Sequence, residues 1–203
     1  MARLIKKFKD TLKKNIFIFK TRQEIRKKKK INVGSGKIDF DKTWYSCDKN
    51  ILDITKKSNW NMLLGYSRLK NIFAEHVWEH LNEVDTELAN KNCYKFLRKS
   101  GRLRLAVPDG FNPNKDYIDY VKPNGTGLGA DDHKILYNYS IMKDKLEKVG
   151  FKVELLEYWD EHGEFHYTDW ENEHGKVIRS KRYDNRNSDG KLNYTSLIVD
   201  AIK

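Results

Sequence analysis

The stretch Lys30-Ile31-Asn32-Val33-Gly34-Ser35-Gly36 constrains this chain more than any other. A short apolar strand runs into two glycines one residue apart. Neither glycine carries a Cβ, so backbone N–H groups there can approach a ligand closely. Asp48 closes the next strand-like stretch, Trp44-Tyr45-Ser46-Cys47-Asp48. An acid at the tip of a neighbouring strand suits the ribose hydroxyls of a nucleotide. A lone Gly-x-Gly ends many strands, so its meaning depends on the motifs downstream of it.

Strands and helices alternate from residue 31 onward. Strands are expected at Ile31–Gly34, Tyr45–Asp48, Asn71–Ala74, Arg102–Val107, Phe151–Tyr158 and Leu197–Ile202. Helical spacing of Val84, Leu88, Cys93 (or Ala89), Phe96 and Leu97 predicts a helix over 82–99, stopped by Ser100-Gly101. A second helix is expected over 133–149, with Ile135, Leu136, Tyr139, Met142, Leu146 and Val149 on one face and Gly150 at its end. Residues 55–70 read as irregular and polar, and 109–132 as a long loop. This alternation predicts an α/β sheet with helices on both faces and all parallel strand tips on one edge, where ligands bind.

The net charge of +11 is not spread evenly: residues 1–30 hold 13 Lys/Arg against 2 Asp/Glu, and the remainder balances to zero. The balance argues against a broad nucleic-acid surface on the body of the chain. Residues 1–29 read as a basic helical arm, with Leu4, Ile5, Phe8, Leu12, Ile16 and Phe19 along one face. Three roles fit such an arm: peripheral contact with an anionic membrane, RNA binding, or packing on the domain or a partner. Its apolar runs are too short for a signal peptide or a spanning helix. A cytoplasmic protein is expected, with the arm offering contact at the inner face of the cell membrane. Cys47 and Cys93 match no metal spacing and read as buried free thiols.

Glu75-His76-Val77-Trp78-Glu79-His80 contains H-x-x-E-H. On a helix, His76 and His80 would share a face and bind zinc, with Glu79 as base. That gives a zinc hydrolase as an alternative, although the stretch comes directly after the strand ending at Ala74 and signals no third ligand.

Four stretches in order resemble the successive motifs of class I S-adenosylmethionine-dependent methyltransferases. They are Gly34-Ser35-Gly36; Asp48; Ala74-Glu75-His76-Val77-Trp78-Glu79-His80-Leu81; and the run from Leu97 through Arg102-Leu103-Arg104-Leu105-Ala106-Val107-Pro108-Asp109. The leucine-rich helix with Gly150-Phe151 after it fits as well. The resemblance covers about residues 30–158 and is greatest to small members linked to polysaccharide or cell-surface glycan pathways. It implies a Rossmann-like, mostly parallel sheet with an antiparallel final strand, in one domain over 30–203. It also implies S-adenosylmethionine as cofactor, no metal, and a glycan or other small hydroxyl acceptor. Gly34 and Gly36, flanked by Asn32 and Ser35, would cradle the methionine portion, Asp48 the ribose, and Asp53 the adenine. Ala74, Glu75 and His76 would close the pocket under the sulfonium. Two departures stand out: Ile38 replaces a third glycine, and only 11 residues separate Gly36 from Asp48. That leaves no room for a full helix after the glycine loop. A non-catalytic adaptor with the same fold is a further alternative.

Methyl transfer to a hydroxyl needs alignment and a nearby base. Candidates are His76, Asp109, Asp132, His133 and, from a polar, aromatic insertion over 160–190, His166. His162 and His174 are expected to be solvated. The insertion reads as a hairpin or a sugar-binding surface, with Trp159, Phe165, Tyr167, Trp170 and Tyr183 as stacking faces. Arg179, Arg182 and Arg186 would suit a phosphate or uronate.

Overall fold

The computed structural model describes residues 2–36 and 41–203. Helix α1 (Ala2–Lys28) leads into β1 (Lys30–Val33), then β2 (Tyr45–Cys47), α2 (Lys57–Leu64) and β3 (Leu69–Glu75). Then come α3 (Glu83–Phe96), β4 (Leu97–Pro108), α4 (Lys115–Val121), α5 (Tyr139–Glu147), β5 (Lys152–Trp159), β6 (Phe165–Tyr167) and β7 (Ser196–Ile202). The sheet runs β2-β1-β3-β4-β7-β5-β6. Strands β2, β1, β3 and β4 are mutually parallel, and β7 lies antiparallel between β4 and β5. This is the expected α/β class, with the last strand reversed as anticipated.

Alternation along the strands sorts the two faces. Ile31, Val33, Ile72, Leu103, Leu105 and Val199 enter one large cluster, where Ile25 of α1, Trp60 of α2, Cys93 of α3 and Leu146 of α5 meet them. The intervening positions, Phe73, Ala106 and Ile198, face a smaller cluster with Trp44, Trp170 and Val177. Helices α1, α2, α3 and α5 therefore share one face. The other is covered by the irregular segment 168–190, which corrects the expectation of helices on both faces. The cause lies in the short reach from Gly36 to Asp48: among the described residues no helix stands between β1 and β2.

A buried ion pair fixes that cover. Arg104, 1% exposed, donates from Nε to Asp200 Oδ1 (2.8 Å) and from Nη2 to Oδ2 (2.7 Å). Its Nη1 donates to the carbonyls of Glu171 (2.7 Å) and Gly175 (2.8 Å). The guanidinium also lies over Trp170, whose indole N–H donates to Glu157. Trp170 thus belongs to the core and not to a sugar-stacking surface. The insertion does open with the expected hairpin, β5 with β6.

Several element boundaries differ from the sequence reading. Residues 57–64 are helical, because Trp60, Leu63 and Leu64 fall on one buried stripe. In α3 the buried residues are Thr86, Ala89, Asn90, Asn92, Cys93 and Phe96, while Val84 and Leu88 are exposed. Buried polar contacts rotate the helix: Trp78 Nε1 donates to Asn90 Oδ1 (2.9 Å), and Thr86 bonds the Tyr137 hydroxyl (3.0 Å). The helix expected from 133 starts at Tyr139, capped by Asn138, which accepts from the Ile141 N–H. The loop 109–132 contains α4, capped in the same way by Asn114. His174 is half-buried and bonded to Asn71, whereas His162 is exposed as expected.

Helix α1 spans the basic arm. The side chains of Leu4, Ile5 and Phe8 lie outside the described residues. Leu12, Ile16 and Phe19 are exposed, but Thr21 and Ile25 are buried and Arg22 donates to the Met62 carbonyl. The same helix thus packs on the body from about residue 21 onward and carries exposed apolar side chains before it. No described helix is long and apolar enough to cross a membrane. Both cysteines are free and buried, and burial with the nearby Asp48 charge pushes the Cys47 thiol up to about 12. Deleting residues 2–20 should leave the urea midpoint within error of the full chain. Ile25→Ala should cost about 2–5 kcal/mol in the same measurement, as for other core truncations.

Candidate active site

The tips of β1 and β3 build the site. Gly34 comes directly after β1 at φ +67°, and its N–H donates to the Cys47 carbonyl (2.8 Å). A Cβ on Gly34 would overlap Val77 Cγ2, so only glycine fits by conformation and by space. Gly36, at φ +57°, has open space where its Cβ would stand, and its N–H donates to Asp48 Oδ1 (3.0 Å). Asp48 thus sits half-buried at the tip of β2 and holds the glycine turn.

Past β3, His76 adopts φ +56°, uncommon for a residue with a Cβ. A 3₁₀ turn, Trp78–His80, comes next. His76 and His80 therefore share no helix, which removes the geometric basis of the H-x-x-E-H zinc reading. His76 Nε2 and Ser196 Oγ are hydrogen-bonded at 3.1 Å, and its ring stacks near Tyr194. Burial, then the charge of Arg179, holds its pKa well below the ordinary histidine value, so the ring is neutral near pH 7.

Two clefts meet at Gly34 and His76. The first, of about 250 Å³, is lined by Asn32, Ser35, Gly36, Glu75, Lys176 and Arg179. The second, of about 330 Å³, is lined by Leu52, Asp53, Ile54, Leu81, His80 and Asp132. Of the residues singled out in the sequence, Asn32, Gly34, Ser35, Gly36, Glu75, His76 and Asp53 come together on these walls. Ala74 is buried in the helix-side core beneath them.

Several of these side chains are already engaged. Glu75 accepts from the backbone N–H of Arg179 (2.7 Å) and Ile178 (3.1 Å), which ties the insertion to the β3 tip. Asp53 Oδ1 takes the Thr55 hydroxyl (2.7 Å) and N–H (3.1 Å), while Lys56 stands 3.0 Å from Oδ2. Burial would raise its pKa, but these partners outweigh it and hold the group low. Asp109 is fully buried, with its oxygens taken by the N–H of Phe111 (3.0 Å) and Trp159 (2.8 Å). Burial pushes it up to about 6, and its place is an anchor between β4 and β5. His133 is buried beside His80, with ring centroids 4.8 Å apart. Burial raises the Glu79 carboxyl to about 8. His166 pairs with Asp160 in the hairpin turn, and Arg182 and Arg186 pair with Asp169 and Asp184. Among the three arginines only Arg179 lines a cleft.

Ser196, Tyr194 and Lys176 escaped the sequence reading. They reach the site from more than a hundred residues beyond the glycine turn, and no local pattern marks them.

No protein-family model matches this sequence, and neither does any curated protein. Among solved structures it is similar to an S-adenosylmethionine-dependent methyltransferase from Archaeoglobus fulgidus, at 18% identity and a TM-score of 0.50, covering 93% of this chain and 94% of that one. Another from Thermotoga maritima aligns over 100% of both chains at 11% identity, with a TM-score of 0.49. Gly34→Ala should destabilise the chain by about 2–4 kcal/mol from strain and overlap, and Gly36→Ala by only about 1. Adding Val77→Ala should restore part of the Gly34→Ala loss in chemical denaturation. The Archaeoglobus likeness gives the chain the fold of a class I S-adenosylmethionine-dependent methyltransferase.

Proposed function

We propose that the chain is an S-adenosylmethionine-dependent methyltransferase that methylates a hydroxyl of a saccharide or other small acceptor. The observation that carries this reading is the pair of clefts joined at Gly34 and His76. The wall around Leu52, Ile54 and Leu81 is apolar and suits a purine. The other cleft has Lys176 and Arg179 facing the glycine turn and suits an amino-acid carboxylate. The bare backbone at Gly36 leaves room for close approach. These features fit a ligand with an aromatic base at one end and a zwitterion at the other.

When bound, the cofactor supplies an already activated methyl group. The task of the chain is then alignment. Gly34, Gly36 and Asp48 would hold the ribose and methionine portions, and Asp53 with Leu52 and Ile54 would flank the adenine. His76, neutral at the junction, is the natural acceptor for the hydroxyl proton. Ser196 fixes its ring. Asp109 serves the reaction as a support for the strand tips, and His133 stands behind His80.

Calorimetric titration with S-adenosylmethionine and S-adenosylhomocysteine should show one bound molecule per chain. Asp48→Ala should weaken binding by about tenfold to a hundredfold, the worth of a hydrogen bond to a charged group. Absence of binding by the unaltered chain would sink the reading.

The exposed Leu12, Ile16 and Phe19 on α1, among lysines, favour a second element: docking of residues 2–20 on an anionic membrane surface near a lipid-linked acceptor. Vesicles containing phosphatidylserine should sediment the full chain but not the chain lacking residues 2–20. Equal sedimentation of both refutes the docking.

A further inference from the structure

Among the described residues, two groups of carboxylates and imidazoles bring their ligand atoms within 4.8 Å of one another. In Asp160, Glu164 and His166, the Asp160 carboxylate already accepts from the N–H of His162 and Glu164 and contacts the His166 ring. That group closes a hairpin turn.

Glu79, His80 and His133 are arranged differently. Glu79 is 1% exposed, and neither of its side-chain oxygens has a hydrogen-bond partner among the described residues. His76 Nδ1 stands 3.3 Å from Oε1. A carboxylate taken out of water without donors is costly, and such groups in folded proteins are commonly paired or coordinate a metal. His133 Nδ1 lies 2.6 Å from the Val121 carbonyl, so Nδ1 carries the proton and Nε2 keeps its lone pair. A backbone carbonyl on the far nitrogen is how proteins orient a metal-binding imidazole. His80 Nδ1 is likewise buried, and Asp132 Oδ2 stands 3.5 Å away. The trio is held from behind as well: the Lys134 N–H donates to the Glu79 carbonyl at 2.6 Å, pinning the 3₁₀ turn against the segment that carries His133.

We propose that Glu79, His80 and His133 bind one divalent first-row transition ion, of the Mn²⁺ or Zn²⁺ kind, at the wall of the larger cleft. Two imidazoles with one carboxylate favour such an ion over Mg²⁺ or Ca²⁺, which prefer all-oxygen shells. Of the three ligands His80 lines that cleft, beside His76 and Asp132, so the ion would lie behind the wall next to the His76 junction, where the acceptor would meet the methyl donor. Its role rests on the methyl-transfer reading above, whereas its binding does not. As a Lewis acid it would hold the acceptor hydroxyl and ease loss of its proton to His76. The oxygen lone pair forms the new O–CH₃ bond as the S–CH₃ bond breaks. The electrons of that bond stay on sulfur, leaving a neutral thioether and no net redox change.

The test uses the full chain, stripped with a chelator and titrated with Mn²⁺ alone and with Zn²⁺ alone. One ion per chain is expected. Glu79→Gln and His133→Gln should each weaken binding by at least about tenfold, and Asp160→Asn should leave it unchanged. On the unaltered chain, Mn²⁺ should broaden the ring-proton NMR signals of His80 and His133 first, a readout that needs no variant to fold. Absence of stoichiometric binding of either ion overturns the proposal. So does equal binding by the parent and both ligand variants, or broadening centred on His166. S-adenosylhomocysteine titrated into the same stripped samples separates the two readings. Cofactor binding without ion binding removes the metal site alone, and ion binding without cofactor binding removes the methyltransferase reading alone.

Discussion

The contact of Gly34 with Val77 is the constraint on which the site depends. It locks the turn after β1 against the turn after β3, two segments distant in sequence. A Cβ at position 34 would run into the Val77 side chain, which stands beside the wall the two clefts share. The same contact helps explain why His76 tolerates φ +56°. The chain must leave β3 sharply enough to lay Val77 on the glycine turn, and the 3₁₀ turn beyond it then aims Glu79 and His80 back under the clefts. Strain at one residue is stored where the surrounding packing can hold it.

A second arrangement compensates for what the glycine loop lacks. With no helix among the described residues between β1 and β2, one face of the sheet needs another cover. The insertion supplies it, clamped by Arg104 and Asp200. Burying this pair is costly in itself, and four hydrogen bonds from the guanidinium offset the cost. Glu75 adds the link at the active edge, because its bonds to residues 178 and 179 bring Lys176 and Arg179 over the glycine turn. The cover and the site are thus one construction.

The strand tips were legible in the sequence because each is local. Gly34, Gly36, Asp48 and the Glu75–His80 stretch announce themselves by spacing and order; Gly34, Gly36, Glu75, His76 and His80 line the clefts, and Asp48 holds the Gly36 N–H. What the sequence concealed depends on long-range polar contacts. Hydrophobic spacing set the face of α3 by Val84 and Leu88, yet Asn90 and Thr86 turn inward to meet Trp78 and Tyr137. Helix α2 hid because its three buried residues sit among lysine, serine and asparagine. Asp109 looked like a strand-tip base, and its burial against two backbone N–H groups shows only in three dimensions. His133 joins Glu79 and His80 across some fifty residues through a backbone bridge, and no sequence pattern encodes that meeting.

The segregation of helices to one face has a consequence for how such a chain can change. Among the described residues the helix-side cluster and the insertion-side cluster have no member in common and lie on opposite faces of the strands. Substitutions at distant sites without shared partners add nearly independently. Trp60, Phe96 and Leu146 can therefore keep the chain folded while Trp170, Val177 and their neighbours drift. The surface that would meet an acceptor can be remodelled without reopening the core on the opposite side.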